Sequence, residues 1–309
     1  MLPVLLAVAI VGYLLGANHS SSGSHAASTI LVVGTAAVPN PVVLEYPSTP
    51  GWPVASGAPK LPGLTIAQSL TLAPGGNARG AGLIAGQISA GTSTPLPAPF
   101  LARLHEVPTA EVVSLFNTQA YRYGRLFPSG SDDELTLYAI PGTTGGTAII
   151  ACYAAISSET STYLKACERL AGKLRLQVEG ESEIVPPNVV YARQIGEVVA
   201  RVDKLRLALR SAMGRQAPPA MQARAALRLA EGFGEASRSL ALIQASPALR
   251  WAQTDVLQGL SQAHDSYVAL ASAARAGRPS DYKLARTLVY DAEASIVAAL
   301  KRYALVGYE

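Results

Sequence analysis

Charge is the first thing missing from this sequence. No Asp, Glu, Lys or Arg precedes Glu45, and charged residues make up only 15% of the 309. Cysteine is nearly absent too, with Cys152 and Cys167 alone, so a CxxC redox pair or a four-cysteine zinc site is excluded. Four histidines remain for acid–base chemistry: His19, His25, His105 and His264. The first two lie in a Ser/Gly-rich stretch, which leaves one for each half of the folded chain. No Gly-x-Ser-x-Gly elbow is present, and the glycine-rich stretch Gly75–Gly86 lacks the Lys-Ser/Thr of a phosphate loop. Asp132-Asp133-Glu134 offers too few oxygens for a calcium site and reads as a solvated turn. No Glu-x-x-His occurs, so a di-metal bundle site is not expected. The chain therefore reads as non-catalytic, with no cofactor and no metal.

The basic residues do not favour nucleic acid. Residues 1–188 carry 9 Lys/Arg against 11 Asp/Glu, and the rest of the chain 16 against 10. The arginines of the second half are scattered among acids, which suits solvated helix faces better than a phosphate-tracking patch. Arginine exceeds lysine and alanine is abundant, which fits a high-GC bacterial source.

What is present begins with an apolar run. Leu2 to Leu15 holds only Gly12 and Tyr13 as interruptions. It is slightly short of the roughly 20 residues that span a bilayer, a gap that Ala17 and local thinning can close. Residues 1–17 are read as a membrane anchor. A cleaved signal, with small residues near Ser24–Ala26 or Ala27, is the rival, although a positive n-region is lacking. A buried helix is the third reading. The same lack fits a start upstream of Met1, with the chain continuing a cytoplasmic part. No cysteine follows the run, which excludes a lipoprotein anchor. Residues 18–28 have the composition of a flexible tether. The expected location is a single-pass cell-membrane protein with its folded parts outside.

Residues 29–178 read as an α+β domain. Strand character recurs at Ile30–Gly34, Val42–Tyr46, Leu64–Leu72, Leu83–Ile88, Glu111–Leu115, Ala120–Tyr123, Glu134–Ile140 and Thr147–Tyr153. Pro74-Gly75-Gly76-Asn77 and Pro141–Gly146 mark hairpin turns. Helices are expected at Pro99–Glu106 and Thr160–Lys173, the latter with Leu164, Cys167, Leu170 and Leu174 on one stripe. Strand alternation puts Ala148, Ile150 and Cys152 on one face. A helix packed there brings Cys167 to Cys152, and a bridge over a loop of about 15 residues stabilises by roughly 3 kcal/mol in the chain-entropy view. The alternative is two buried thiols. Tyrosine outnumbers phenylalanine 13 to 4. Tyr121, Tyr123, Tyr138 and Tyr153 fall on neighbouring strands, either as a ligand face or as cross-strand packing.

The run Tyr46-Pro47-Ser48-Thr49-Pro50-Gly51-Trp52 is similar to the YPxGW element of PsbP-like domains, with a two-residue insertion before Trp52. Leu135–Pro141, Ile150–Ala154 and Tyr163–Glu168 resemble extracytoplasmic domains of actinobacterial membrane proteins with the PsbP-like, LpqN-type fold. The resemblance covers about residues 29–178. It implies an antiparallel sheet between helices, behind a membrane helix that in some members follows a cytoplasmic serine/threonine kinase. No catalytic motif comes with it.

Pro186-Pro187 closes a linker over 179–187, and the period then changes from 2 to 3.6. Four segments, about Val189–Met213, Pro218–Ile243, Ser246–Ala276 and Pro279–Tyr303, are bounded by proline and glycine. Their stripes include Ile195, Val198 and Val202; Leu229, Phe233 and Leu240; Val256, Leu260 and Tyr267; and Leu284, Leu288, Ala292, Ala299 and Tyr303. Residues 188–309 thus read as an up-down four-helix bundle. The expected function is a binding, sensor or adaptor module whose partner is an envelope protein or ligand. The alternatives are an envelope assembly factor that docks a partner on the bundle, and an unrecognised hydrolase.

Overall fold

A computed structural model describes residues 28–33, 42–47, 51–56, 59–88, 94–115, 118–141, 146–178, 184, 187–214 and 216–308. The apolar run, the tether, and most of the 179–187 linker lie outside these residues. No helix among the described residues is long and apolar enough to cross a membrane.

The architecture is α+β, an antiparallel sheet system with six α-helices among the described residues. Six strands form the main sheet: β3 (Ile66–Leu72), β4 (Ala81–Ile88), β5 (Glu111–Ser114), β6 (Gln119–Leu126), β7 (Asp133–Pro141) and β8 (Thr147–Ala155). Their order is β3-β4-β8-β7-β6-β5, antiparallel throughout. The hairpin β3–β4 turns through the Pro74-Gly75-Gly76 stretch, where Gly75 and Gly76 both have positive φ. β1 (Ser28–Val33), β2 (Val42–Pro47) and β9 (Arg175–Val178) form a second, three-stranded antiparallel sheet in the order β1-β2-β9. β9 was not expected as a strand, because its four residues directly follow a helix.

Both faces of the main sheet are covered, and the two-residue period of each strand sorts its side chains between them. One face carries Leu83, Ala85, Tyr138, Ile140, Ala148, Ile150 and Cys152. Helix α2 (Thr160–Ala171) buries Leu164, Cys167 and Leu170 against it. Thr160 anchors the start of α2: its hydroxyl donates to Ala155 O (2.8 Å) and accepts from Ser157 N–H (2.7 Å). Cys152 and Cys167 are joined as a disulfide across this interface.

The opposite face carries Ile84, Tyr121, Tyr123, Leu135, Leu137, Ile149 and Tyr153. Leu61, Leu64, Leu96 and the short helix α1 (Ala98–Leu101), with Phe100 fully buried, cover part of it. The expected helix Pro99–Glu106 is thus cut to four residues. Beyond Leu101 the hydrogen bonds tighten to a spacing of three, Arg103 N–H to Phe100 O and Leu104 N–H to Leu101 O. The rest of this face is closed by the C-terminal end of the chain.

Four long helices follow: α3 (Val189–Leu209), α4 (Pro219–Ala241), α5 (Arg250–Arg275) and α6 (Pro279–Lys301). Asn188 caps α3 by accepting from the N–H groups of Val190 (2.9 Å) and Tyr191 (3.1 Å). Pro219 and Pro279 open α4 and α6, where a missing N–H costs nothing. α4 packs along α5, α5 along α6, and α3 more lightly on α4. Gly259 lets α5 and α6 close in: a Cβ there would lie 2.7 Å from Ile296 Cγ1. Of the stripe expected on α6, Ala292, Ala299 and Tyr303 are buried, but its first two positions differ. Leu284 and Leu288 are exposed, at 63% and 46%, while Ala285, Val289, Ala292, Ile296 and Ala299 are buried. With α5 this close, the contact belongs to the alanine-bearing side, and the larger leucines face outward.

α6 ends in a 3-10 turn, Arg302–Val306, that lies under the sheet. Leu305 and Val306 are buried, Ala304 O accepts from Ala110 N–H (2.8 Å), and Leu305 O accepts from Tyr123 Oη–H (2.6 Å). Gly307 ends the turn at φ 86°, and a Cβ there would come within 3.1 Å of both Ala110 O and Pro187 Cγ. One hydrophobic core therefore runs from the sheet through this turn into the four helices.

Phe233 is 2% exposed and stacks on Tyr267 at 5.4 Å between ring centroids. Phe233→Ala is expected to cost about 3–5 kcal/mol, since transfer and cavity terms add at a site this enclosed. Chemical denaturation of the wild type and the variant measures it; a loss under about 1 kcal/mol would mean that the helices do not meet at this ring.

Candidate functional site

The four tyrosines, read either as a ligand face or as cross-strand packing, are divided by the sheet. Tyr121, Tyr123 and Tyr153 point to the face closed by the C-terminal turn, and Tyr138 points to the α2 face. All four are buried, at 1%, 0%, 2% and 4% exposure. The reading as a shared ligand face is corrected by strand parity. Positions 121 and 123 share a side of β6, and Tyr121 pairs with Ala139, which puts Tyr138 on the other side of β7. Tyr153 instead uses its hydroxyl to donate to Ala78 O (2.9 Å).

Tyr121 and Tyr123 belong to the joint between sheet and helices, where three further tyrosines gather. Tyr191, Tyr303 and Tyr308 pack as a ring cluster with centroids 5.9 to 6.2 Å apart. The hydroxyls of Tyr191 and Tyr303 are 3.0 Å apart, and Tyr308 Oη accepts from Asn188 N–H (2.9 Å). Tyrosine suits such a joint because its ring takes apolar contact while its tip satisfies a nearby backbone group. Sequence pattern marked Tyr303 as a stripe residue but not its meeting with Tyr191, which lies 112 positions away.

Tyr138 leads to the surface. It forms part of a groove of about 680 Å³ between α2 and the β5 edge, together with Val113, Ser114, Leu115, Arg122, Lys165 and Arg169. Arg122 is at the centre. Its Nη1 donates to Glu111 Oε2 (2.8 Å), and its Nη2 donates to Glu168 Oε1 and Oε2 (3.1 and 3.2 Å). Thr136 Oγ1 also donates to Glu168 Oε1 (3.2 Å). Burial works against the guanidinium charge, but the paired carboxylate of Glu168 outweighs it and holds Arg122 more firmly protonated than usual. Arg122 and Glu168 thus neutralise each other in place. Lys165 and Arg169, one turn apart on α2 and exposed, carry the remaining positive charge of the groove. On its other side, β5 is the last strand of the sheet. The groove therefore lies between the last strand of the sheet and a basic helix face.

The other polar residues singled out from the sequence lie elsewhere. His105 is exposed in the turn after α1, and His264 on α5 sets its Nδ1 2.8 Å from Ala230 O. Asp133 accepts from Ser131 Oγ–H (3.0 Å). No cluster of three or more His, Cys, Asp or Glu with metal-binding spacing occurs among the described residues. No protein-family model matches this chain, and no curated protein matches it.

The buried tyrosines make stability depend on alkaline pH. Burial pushes Tyr121 and Tyr153 up from 10 to about 12, and the neighbouring Tyr308 and Asp133 add to these shifts. A folded pKa above the unfolded one stabilises fully below the unfolded value. That contribution is lost as pH rises from about 10 to about 12. The expected outcome is a steep loss of stability across that window, with tyrosinate absorbance rising together with the loss of circular dichroism. Gradual ionisation without unfolding would contradict the burial of these rings.

Proposed function

We propose that this protein is a non-catalytic, extracytoplasmic binding or adaptor module, held to the membrane by residues 1–17, whose α2–β5 groove receives an acidic, extended segment of a partner protein. The observation that carries the reading is the placement of β5, the last strand of the sheet, opposite Lys165 and Arg169 across one groove. A sheet edge offers backbone hydrogen bonds to an added strand, and the basic rim selects acidic side chains on it. The Cys152–Cys167 disulfide supports an oxidising compartment, where such bridges persist. The covering of an antiparallel sheet by α2 on one face supports the resemblance to PsbP-like domains, and the serial packing of α3 to α6 supports an up-down bundle. In this reading the helices stiffen the platform that carries the groove.

A polyglutamate peptide is the direct probe. It is expected to bind the full chain with an affinity that falls as salt rises. Lys165→Glu with Arg169→Glu should weaken it at least about tenfold, the scale of a lost charge-assisted contact. Both positions are exposed, so the melting temperature should hold. Equal binding by the double variant would sink the groove as the site. Topology has its own test: a β-lactamase fused after Glu309 should protect the host cells from ampicillin, and failure of an expressed, stable fusion to do so would overturn the extracytoplasmic placement.

A further inference from the structure

The four helices do not close on themselves. α3 packs on α4, and α6 on α5, but the backbones of α3 and α6 make few close approaches. The gap opens into a cavity of about 130 Å³ in the middle of the helices, walled by Val198, Val202, Phe233, Val256, Leu260 and Ile296. Apolar cavities of about this size stay dry and take up small apolar molecules. Loss of packing atoms at their walls costs stability, so an occupant is favoured.

The cavity has a polar door. Arg206 on α3 donates through Nη2 to Glu293 Oε2 on α6 (2.6 Å) and through Nη1 to Asp203 Oδ1 (3.1 Å). Tyr267 Oη–H donates to the other oxygen of Glu293 (2.7 Å). Burial first, then the Glu293 carboxylate, keeps that phenol protonated. These three groups line the inner end of a wider cleft of about 580 Å³, which continues along α3 and α6 past Arg210, Met213, Tyr282, Arg286 and Val289. Arg206 is matched by its two carboxylates. Arg210 and Arg286 pair with no carboxylate among the described residues. A mostly apolar cavity, a polar neck and two cations without a carboxylate partner among the described residues thus follow one another along the α3–α6 cleft.

We propose that the cleft between α3 and α6 binds a single-chain anionic amphiphile, with its tail in the cavity beside Phe233 and its head on Arg210 and Arg286. The order of the surfaces is the argument. An uncharged apolar molecule would leave the two guanidinium groups unused, and a purely polar anion would leave the cavity empty. The small volume restricts the inserted part to a short chain end.

The test uses octanoate and 1-octanol on the methyl-labelled full chain, held in lipid nanodiscs and free of detergent, which would compete for the site. Octanoate is expected to shift the methyl resonances of Val198, Val202 and Ile296. Arg210→Glu with Arg286→Glu should weaken octanoate about tenfold or more while changing 1-octanol less than about twofold, because only the former carries a head charge. Val198→Trp, which fills the cavity, should abolish both; xenon uptake, seen in the wild type and lost in this variant, shows that the filled site is the one concerned. Unmoved cavity methyls at millimolar octanoate would overturn the proposal. So would equal weakening of both ligands by the charge reversal, or octanoate binding that survives it.

Discussion

The hydrogen bond from Tyr123 to Leu305 O joins groups 182 positions apart, and the rest of the structure is arranged around the closure it marks. A six-stranded sheet with apolar side chains on both faces must be covered twice. α2 covers one face and is stapled there by Cys152–Cys167. The other face is wider than α1 and the loops around Leu61 and Leu96 can cover, and the turn Arg302–Val306 at the end of α6 completes it. Gly307 suits that turn, because φ is positive and a Cβ would crowd Ala110 O and Pro187 Cγ at 3.1 Å.

This closure couples the two halves of the chain. The rings of Tyr191, Tyr303 and Tyr308 sit where the start of α3 meets the end of α6, and Tyr121 and Tyr123 present the sheet to the same segment. The ends of the helical region are thus tied to each other and to the sheet. In the middle of the region α3 and α6 approach less closely and are bridged by Arg206 and Glu293. Tight ends and a looser centre are what a cleft between helices requires. The α2–β5 groove lies on the other side of the sheet, so the two candidate sites share no residue.

Much of the element order was legible without coordinates. Alternation and turn residues marked β3, β4 and β5 to β8 within a few positions, and Pro/Gly punctuation bounded the four long helices. Each of those signals is local: it depends on neighbours two to four positions away. The candidate sites were not legible. The groove needs Arg122, Glu168 and Ser114 together, from β6, α2 and β5, and no spacing announces that meeting. The tyrosines misled for the same reason, since their abundance was visible and their sidedness was not.

Local sequence pattern was enough for the α+β composition and for the pairing geometry that lets Cys152 meet Cys167, because strand parity and helical period act within a few residues. Only the tertiary structure decided which face each tyrosine joins, that the α6 stripe runs through Ala285 and Val289 rather than Leu284 and Leu288, and that the C-terminal turn belongs to the core of the sheet. Those outcomes turn on how much apolar area each face leaves open and which distant segment fits it. That competition is settled by packing across the whole chain, not by local pattern.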